Sequence, residues 1–133
     1  MSAPGEVRSA AAVALRDCRA LITGGGSGIG LAIARRFDAM GIELVLVGRD
    51  GARLERAVTE LEHAGRHRAF VCDVGDDKAV NRMFDDLADR QRSPQILVNN
   101  AGSAGSARVS ETSTDAWNET LRANLSGVFH CTR

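Results

Sequence analysis

Apolar positions along the chain fall into two alternating patterns. Arg19 to Thr23, Glu43 to Val47, Arg68 to Cys72 and Gln95 to Asn99 are short apolar runs bounded by glycine or polar residues, and they predict buried strands. Between them, apolar residues recur at helical spacing. Ile29 to Met40 predicts a helix with Ile29, Ala32, Ile33 and Phe37 on one face and Gly41 as its stop. Asp50 to Ala64 predicts a second, with Leu54, Ala57, Val58 and Leu61 inward and Gly65 ending it. Asp76 to Arg90 predicts a third, with Val80, Met83, Phe84 and Leu87 inward. A loop rich in Gly, Ser and Ala then leads into a helix from about Thr114 to the end of the chain.

The order is βαβαβαβ followed by a helix. Near-continuous apolar strands joined by helical crossovers require a parallel sheet covered on both faces, with right-handed connections. The expected fold class is therefore α/β, a Rossmann-type doubly wound parallel sheet of about four strands and four helices. It reads as incomplete. The last strand would be left as a sheet edge, and the last helix stops at Cys131-Thr132-Arg133 without a cap. Residues 1–18 read as an N-terminal leader and 19–133 as a half-domain. Ala10 to Leu15 is apolar, but Arg8 and Arg16 bracket it and it is too short to span a membrane.

Composition narrows the partners. The chain has 133 residues, 44% hydrophobic and 26% charged, which suits one soluble domain with a single core. Seventeen basic residues balance seventeen acidic ones, so nothing chain-wide favours nucleic acid or an anionic membrane. Cys18, Cys72 and Cys131 have no metal-like spacing and read as small buried residues in a reducing, cytoplasmic compartment.

The chemistry starts at Thr23-Gly24-Gly25-Gly26-Ser27-Gly28-Ile29-Gly30, between the first strand and the first helix. Glycine there permits a tight turn and lets backbone amides approach a diphosphate, at which the following helix points its positive dipole end. The bland alternative is a flexible turn. The flanking strand and helix supply the context that a phosphate loop needs.

Gly24, Gly28 and Gly30 fit T-G-x-x-x-G-x-G rather than G-x-G-x-x-G. That segment resembles the cofactor loop of classical short-chain dehydrogenases/reductases, and three later segments agree in order. Asp73-Val74 resembles the family's adenine-binding pair, Asn99-Asn100-Ala101-Gly102 its N-N-A-G motif, and Asn124 its helical catalytic asparagine. Taken singly, Asp73 could be a helix cap and Asn99 a turn residue. The resemblance covers residues 19 to 131. It implies cofactor contacts from Thr23, Gly24, Ser27, Gly28, Ile29, Gly30, Arg49, Asp73, Val74, Asn100, Ala101 and Gly102.

At the end of the second strand, in Val47-Gly48-Arg49-Asp50, Gly48 takes the position where the family's NAD enzymes carry a carboxylate. Arg49 can form charge-assisted hydrogen bonds to a 2′-phosphate, although it could also be a solvated surface arginine. Asp50 reads as a helix N-cap. NADP(H) is the expected cofactor and NAD(H) the alternative, because Ser27 stands where some NADPH enzymes place a basic residue.

Family chemistry also needs a serine, and a tyrosine with a lysine four residues on to lower the phenol's pKa. The chain has no tyrosine, and its lysine, Lys78, sits in the third helix without one. The resemblance implies hydride transfer between NADP(H) and a carbonyl or secondary alcohol, with a 3-oxoacyl thioester as a candidate substrate and this chain alone inactive. The alternative is a non-catalytic nucleotide-binding or subunit-association module; a Rossmann-like methyltransferase would leave Asn99 to Gly102 unexplained. His63 and His67 read as surface histidines, with no metal expected, and Asp85, Asp86 and Asp89 as a solvated helix face. Trp117 and Phe129 read as packing or interface residues, the family using this last helix to form dimers or tetramers.

Overall fold

The computed structural model describes residues 15–133. Strands form where the apolar runs lie: β1 (Arg19–Thr23), β2 (Glu43–Gly48), β3 (Arg68–Val71) and β4 (Ile96–Val98). They make a four-stranded parallel sheet in the order β3-β2-β1-β4. The helices are α1 (Gly28–Ala39), α2 (Gly51–Thr59), α3 (Asp77–Asp89), α4 (Thr114–Leu121) and α5 (Gly127–Thr132). A π-helical segment, Arg122–Ser126, joins the last two.

Period-two alternation along the strands divides the core. Ala20, Ile22, Leu44 and Leu46 pack on one face with Ala34 of α1 and with Leu54, Ala57 and Leu61 on or just beyond α2. Leu21, Val45 and Val47 pack on the other with Val80, Met83 and Leu87 of α3 and Cys131 of α5. The strands of this pair, β1 and β2, are buried on both sides, which is why their sequences are continuously apolar. Each buried aliphatic side chain contributes about 1.5–3 kcal/mol relative to exposure, so this double layer is the source of stability.

Several expectations need correction. Ile29 is 73% exposed and Ala32 is exposed as well; the buried stripe of α1 is Gly30, Ala34 and Asp38. Small residues at that i, i+4 spacing let α1 lie close on the sheet, and a count of large apolar residues passes over them. Helix α2 ends at Thr59, not Ala64, because Asp38 takes the Glu62 amide at 2.6 Å from outside the helix. Phe84 is half-buried, as is Cys18, whereas Cys72 and Cys131 are buried. Of the expected leader, residues 1–14 lie outside the described residues; Leu15 packs at the edge of the first core cluster. No helix among the described residues is long and apolar enough to cross a membrane.

Candidate functional site

The strand order reverses direction between β1 and β4, so their carboxyl ends diverge into a crevice, the usual ligand position in open α/β sheets. Thr23 closes its floor. The buried Thr23 hydroxyl donates to the Val98 carbonyl at 3.3 Å and accepts from the Asn100 and Ala101 amides at 3.0 and 2.9 Å. Asn100 replies with its side chain, Nδ2 donating to the carbonyls of Thr23 and Gly24 at 3.0 and 3.2 Å. The Gly24 amide donates to the Val47 carbonyl at 2.7 Å, tying the loop to β2 as well. This loop is braced from three strands.

Two glycines are dictated by geometry. A Cβ at Gly30 would collide with the Gly24 carbonyl oxygen and the Asn100 side chain. Gly28 has a φ of +53°, which a side chain disfavours, and a Cβ there would meet nothing within 4 Å. The first turn of α1 thus faces open space. It also has no side-chain cap: Ser27 stands at the N-cap with no side-chain hydrogen bond, and no acidic residue lies in the first turn. By contrast Asp50 caps α2 through the Arg53 amide, Asp76 caps α3 through Ala79 and Ser113 caps α4 through Ala116. A cavity of about 430 Å³ opens over this end, walled by Gly26, Ser27, Arg49, Asp73, Val74 and Gly102 among others.

The order of these elements and their loop carry a family signature. The short chain dehydrogenase family model matches residues 19–133. The chain belongs to the short chain dehydrogenases.

Among curated relatives, a protein of Streptomyces violaceoruber named as ketoacyl reductase 1 of the granaticin polyketide synthase is 40% identical over 115 residues, covering 86% of this chain and 42% of that protein. The NADP-dependent (R)-specific alcohol dehydrogenase of Lentilactobacillus kefiri is 37% identical, covering 86% of this chain and 45% of its own length. The crystal structure of L-sorbose reductase from Gluconobacter frateurii, complexed with NADPH and L-sorbose, aligns with a TM-score of 0.82 and 31% identity over 90% of this chain and 46% of that one. The chain therefore spans less than half the length of the curated relatives it matches.

Within this dehydrogenase, Arg49, Asp73, Val74, Ala101 and Gly102 line the same cavity, whereas Asn99 and Asn124 do not. Asp73 is not the cap of α3; that role is taken by Asp76. The Asp73 Oδ1 accepts from the Gly75 amide and its Oδ2 from the Arg122 guanidinium, each at 2.9 Å. Burial works to raise the Asp73 carboxyl, but these hydrogen bonds outweigh it and hold it below the usual range. Val74 is buried, with the α5 glycine Gly127 close against it, and His130 Nδ1 meets its carbonyl at 2.9 Å. Asn99 turns away, donating to the Thr132 hydroxyl at 3.1 Å. Arg49 is exposed beyond β2, 3.8 Å from Glu119 of α4. Asn124 lies in the π-helical segment, where its Nδ2 donates to the Ser103 and Thr120 carbonyls at 2.6 and 2.9 Å. Capturing the carbonyl four residues earlier competes with the α-helical ladder, and the helix widens there.

Outside the crevice, sequence reasoning missed a buried polar knot. His67 is 5% exposed, not a surface histidine. Its Nδ1 accepts from the Leu44 amide at 3.1 Å, which leaves Nε2 to donate to Asp38 Oδ1 at 2.8 Å. His63 Nδ1 reaches the same oxygen at 2.8 Å, and Asp38 Oδ2 takes the Glu62 amide. Burial pushes the Asp38 carboxyl up, and the two histidines and these backbone amides together bring it below its ordinary value. A helical Asp four residues from Ala34 carries no sequence mark of burial, and its partners lie in another part of the chain.

Proposed function

We propose that this chain is the dinucleotide-holding portion of an oxidoreductase that transfers hydride between NADP(H) and a carbonyl or secondary alcohol. The observation that carries the reading is the uncapped, glycine-lined first turn of α1, aimed into the crevice between β1 and β4. A diphosphate fits it: the amides have no side-chain acceptor, and Gly28 leaves the space in front of them open. Thr23, Gly24, Ser27, Gly28, Ile29 and Gly30 would hold the diphosphate side. Asp73 and Val74 would face the adenine, and Asn100, Ala101 and Gly102 the middle of the cofactor. When bound, the nicotinamide supplies the hydride or accepts it.

NADP(H) is favoured over NAD(H) because Gly48 offers no carboxylate at the end of β2 while Arg49 is exposed beside it. The NADP-dependent relative and the NADPH-bound sorbose reductase support that preference. The ketoacyl reductase supports a 3-oxoacyl thioester as substrate, and the other two support simpler carbonyl compounds. Asn124 would serve as a supporting member of the active site through its hold on the Ser103 carbonyl.

The chain contains no tyrosine, and Lys78 is exposed on α3. We therefore expect the chain alone to bind cofactor without turning it over. Titration by nucleotide fluorescence should give saturable NADPH binding, tighter than NADH, and no consumption of NADPH with ketone substrates. Absence of saturable binding to either nucleotide would end the reading; tighter binding of NADH would overturn the cofactor choice.

A further inference from the structure

Four charged side chains meet where α4 passes the mouth of the crevice. Arg122 donates from Nε and Nη2 to the two oxygens of Glu119, at 2.8 and 2.9 Å, and from Nη2 to Asp73 at 2.9 Å. Its guanidinium packs over Gly75, where the absence of a side chain leaves it room. Arg49, by contrast, has only a 3.8 Å ion pair with Glu119, and its side chain is 67% exposed. Hydrogen-bond geometry and exposure both make Arg49 the loosest member of the group.

We propose that Arg122 is a positioning residue for cofactor discrimination, pinning the carboxylates of Asp73 and Glu119 so that Arg49 stays available to a 2′-phosphate. The role rests on the NADP(H) reading above. Both carboxylates belong to the same cluster as Arg49, Glu119 at 3.8 Å from its guanidinium and Asp73 on the shared partner Arg122. Without Arg122 both lose their compensating charge, Glu119 is released to close its existing 3.8 Å pair with Arg49, and a dianionic phosphate meets net negative charge. NADH has no 2′-phosphate to meet that charge, and the Gly75 amide still holds Asp73 through its other oxygen on the adenine side that both nucleotides share. The dehydrogenase helix that carries Asn124 thereby also governs the far end of the cofactor.

The test is isothermal titration of the 133-residue chain with NADPH and with NADH. Arg122→Gln should weaken NADPH about fivefold while NADH changes by less than about twofold, a size suited to partly exposed charges. Adding Glu119→Gln to that variant should recover most of the loss, and Arg122→Lys should recover part of it. Equal weakening of both nucleotides, no change in either, or no recovery in the double variant would overturn the role.

Should Arg122→Gln fail to fold, the exposed Glu119→Gln single variant carries the test. It should tighten NADPH selectively at low salt, with the gain fading as salt screens the site; a gain shared by NADH, or no gain, overturns the role. Wild-type chain that binds neither nucleotide would overturn the cofactor reading and this role together. Wild-type chain that prefers NADPH while Arg122→Gln leaves that preference intact would overturn this role alone.

Discussion

The two ends of helix α1 treat polar groups in opposite ways. At its start, Ser27 makes no capping bond and the first-turn amides face open space through Gly28. Near its end, Asp38 is 2% exposed and takes hydrogen bonds from His63, His67 and the Glu62 amide. One end leaves its donors unclaimed at the protein's crevice, whereas the other satisfies every oxygen it has buried. Unclaimed donors are destabilising unless a ligand takes them, while a saturated buried carboxylate serves the fold. The first end is therefore the one to read for function, and the second for stability. Substitutions at the two ends should separate accordingly.

The largest effect is expected at the open end. Gly28→Val places a branched side chain in the space before the α1 amides and at a φ of +53°. NADPH affinity should fall by more than about a hundredfold, the scale of losing charge-assisted hydrogen bonds to a phosphate. Calorimetric binding with the variant chain checks this. Retained affinity would mean that the diphosphate sits elsewhere and that the contrast between the two ends has no functional content.

At the closed end the loss should be in stability instead. Asp38→Ala strands the Nε2 donor of His67 inside the core, and leaving a buried donor unsatisfied costs about 1–3 kcal/mol. Urea unfolding should report it, and NADPH affinity in the surviving folded fraction should be unchanged. The same residue gives an acid limb. Its folded carboxyl lies below its ordinary value, so its contribution is complete above the unfolded pKa and disappears as pH falls through the lower folded value. Wild-type stability should therefore drop below about pH 4 more steeply than that of the Asp38→Ala variant. Parallel curves for the two proteins would show that the knot does not titrate with folding.

How much of this contrast could be read in advance depends on chain distance. The glycine loop was legible because the β1 run, the glycines and the α1 pattern are contiguous, and because the family resemblance extended across Asp73, Asn100 and Asn124. The sheet was legible because β1 and β2 are buried on both faces and so are apolar at every position. Asp38 was not. Nothing near it in sequence differs from a solvated helical aspartate, and its partners His63 and His67 lie beyond β2 and α2. Ile29 was misplaced for a related reason: helical periodicity does not distinguish a core contact from an apolar residue in a first turn that opens on a crevice. The Arg122 cluster was equally hidden, because its carboxylate at Asp73 comes from a strand end 49 residues earlier.

A middle-sized effect should come from the mouth of the crevice. Arg49→Asp replaces the guanidinium beside Glu119 with a carboxylate able to accept from ribose hydroxyls and to repel a 2′-phosphate. The ratio of NADPH to NADH affinity should shift towards NADH by about tenfold, equivalent to about 1.4 kcal/mol. An unchanged ratio would remove Arg49 from the cofactor assignment while leaving the diphosphate site intact.

The smallest effect tests the capping contrast directly. Asp50 accepts the Arg53 amide at 3.0 Å at the start of α2, whereas Ser27 makes no such bond at the start of α1. Replacing an N-cap acceptor by alanine typically costs about 1 kcal/mol. Asp50→Ala should therefore lower the unfolding free energy by about that amount, and Ser27→Ala should leave it within about 0.5 kcal/mol of wild type. Both residues are exposed, so neither substitution opens a cavity, and the comparison isolates the cap. Thermal melts of the two variants, with and without NADPH, make the separation sharper. If Ser27→Ala proves as costly as Asp50→Ala without nucleotide, the α1 amides already have their acceptor in the free protein, and the open end is not waiting for a phosphate.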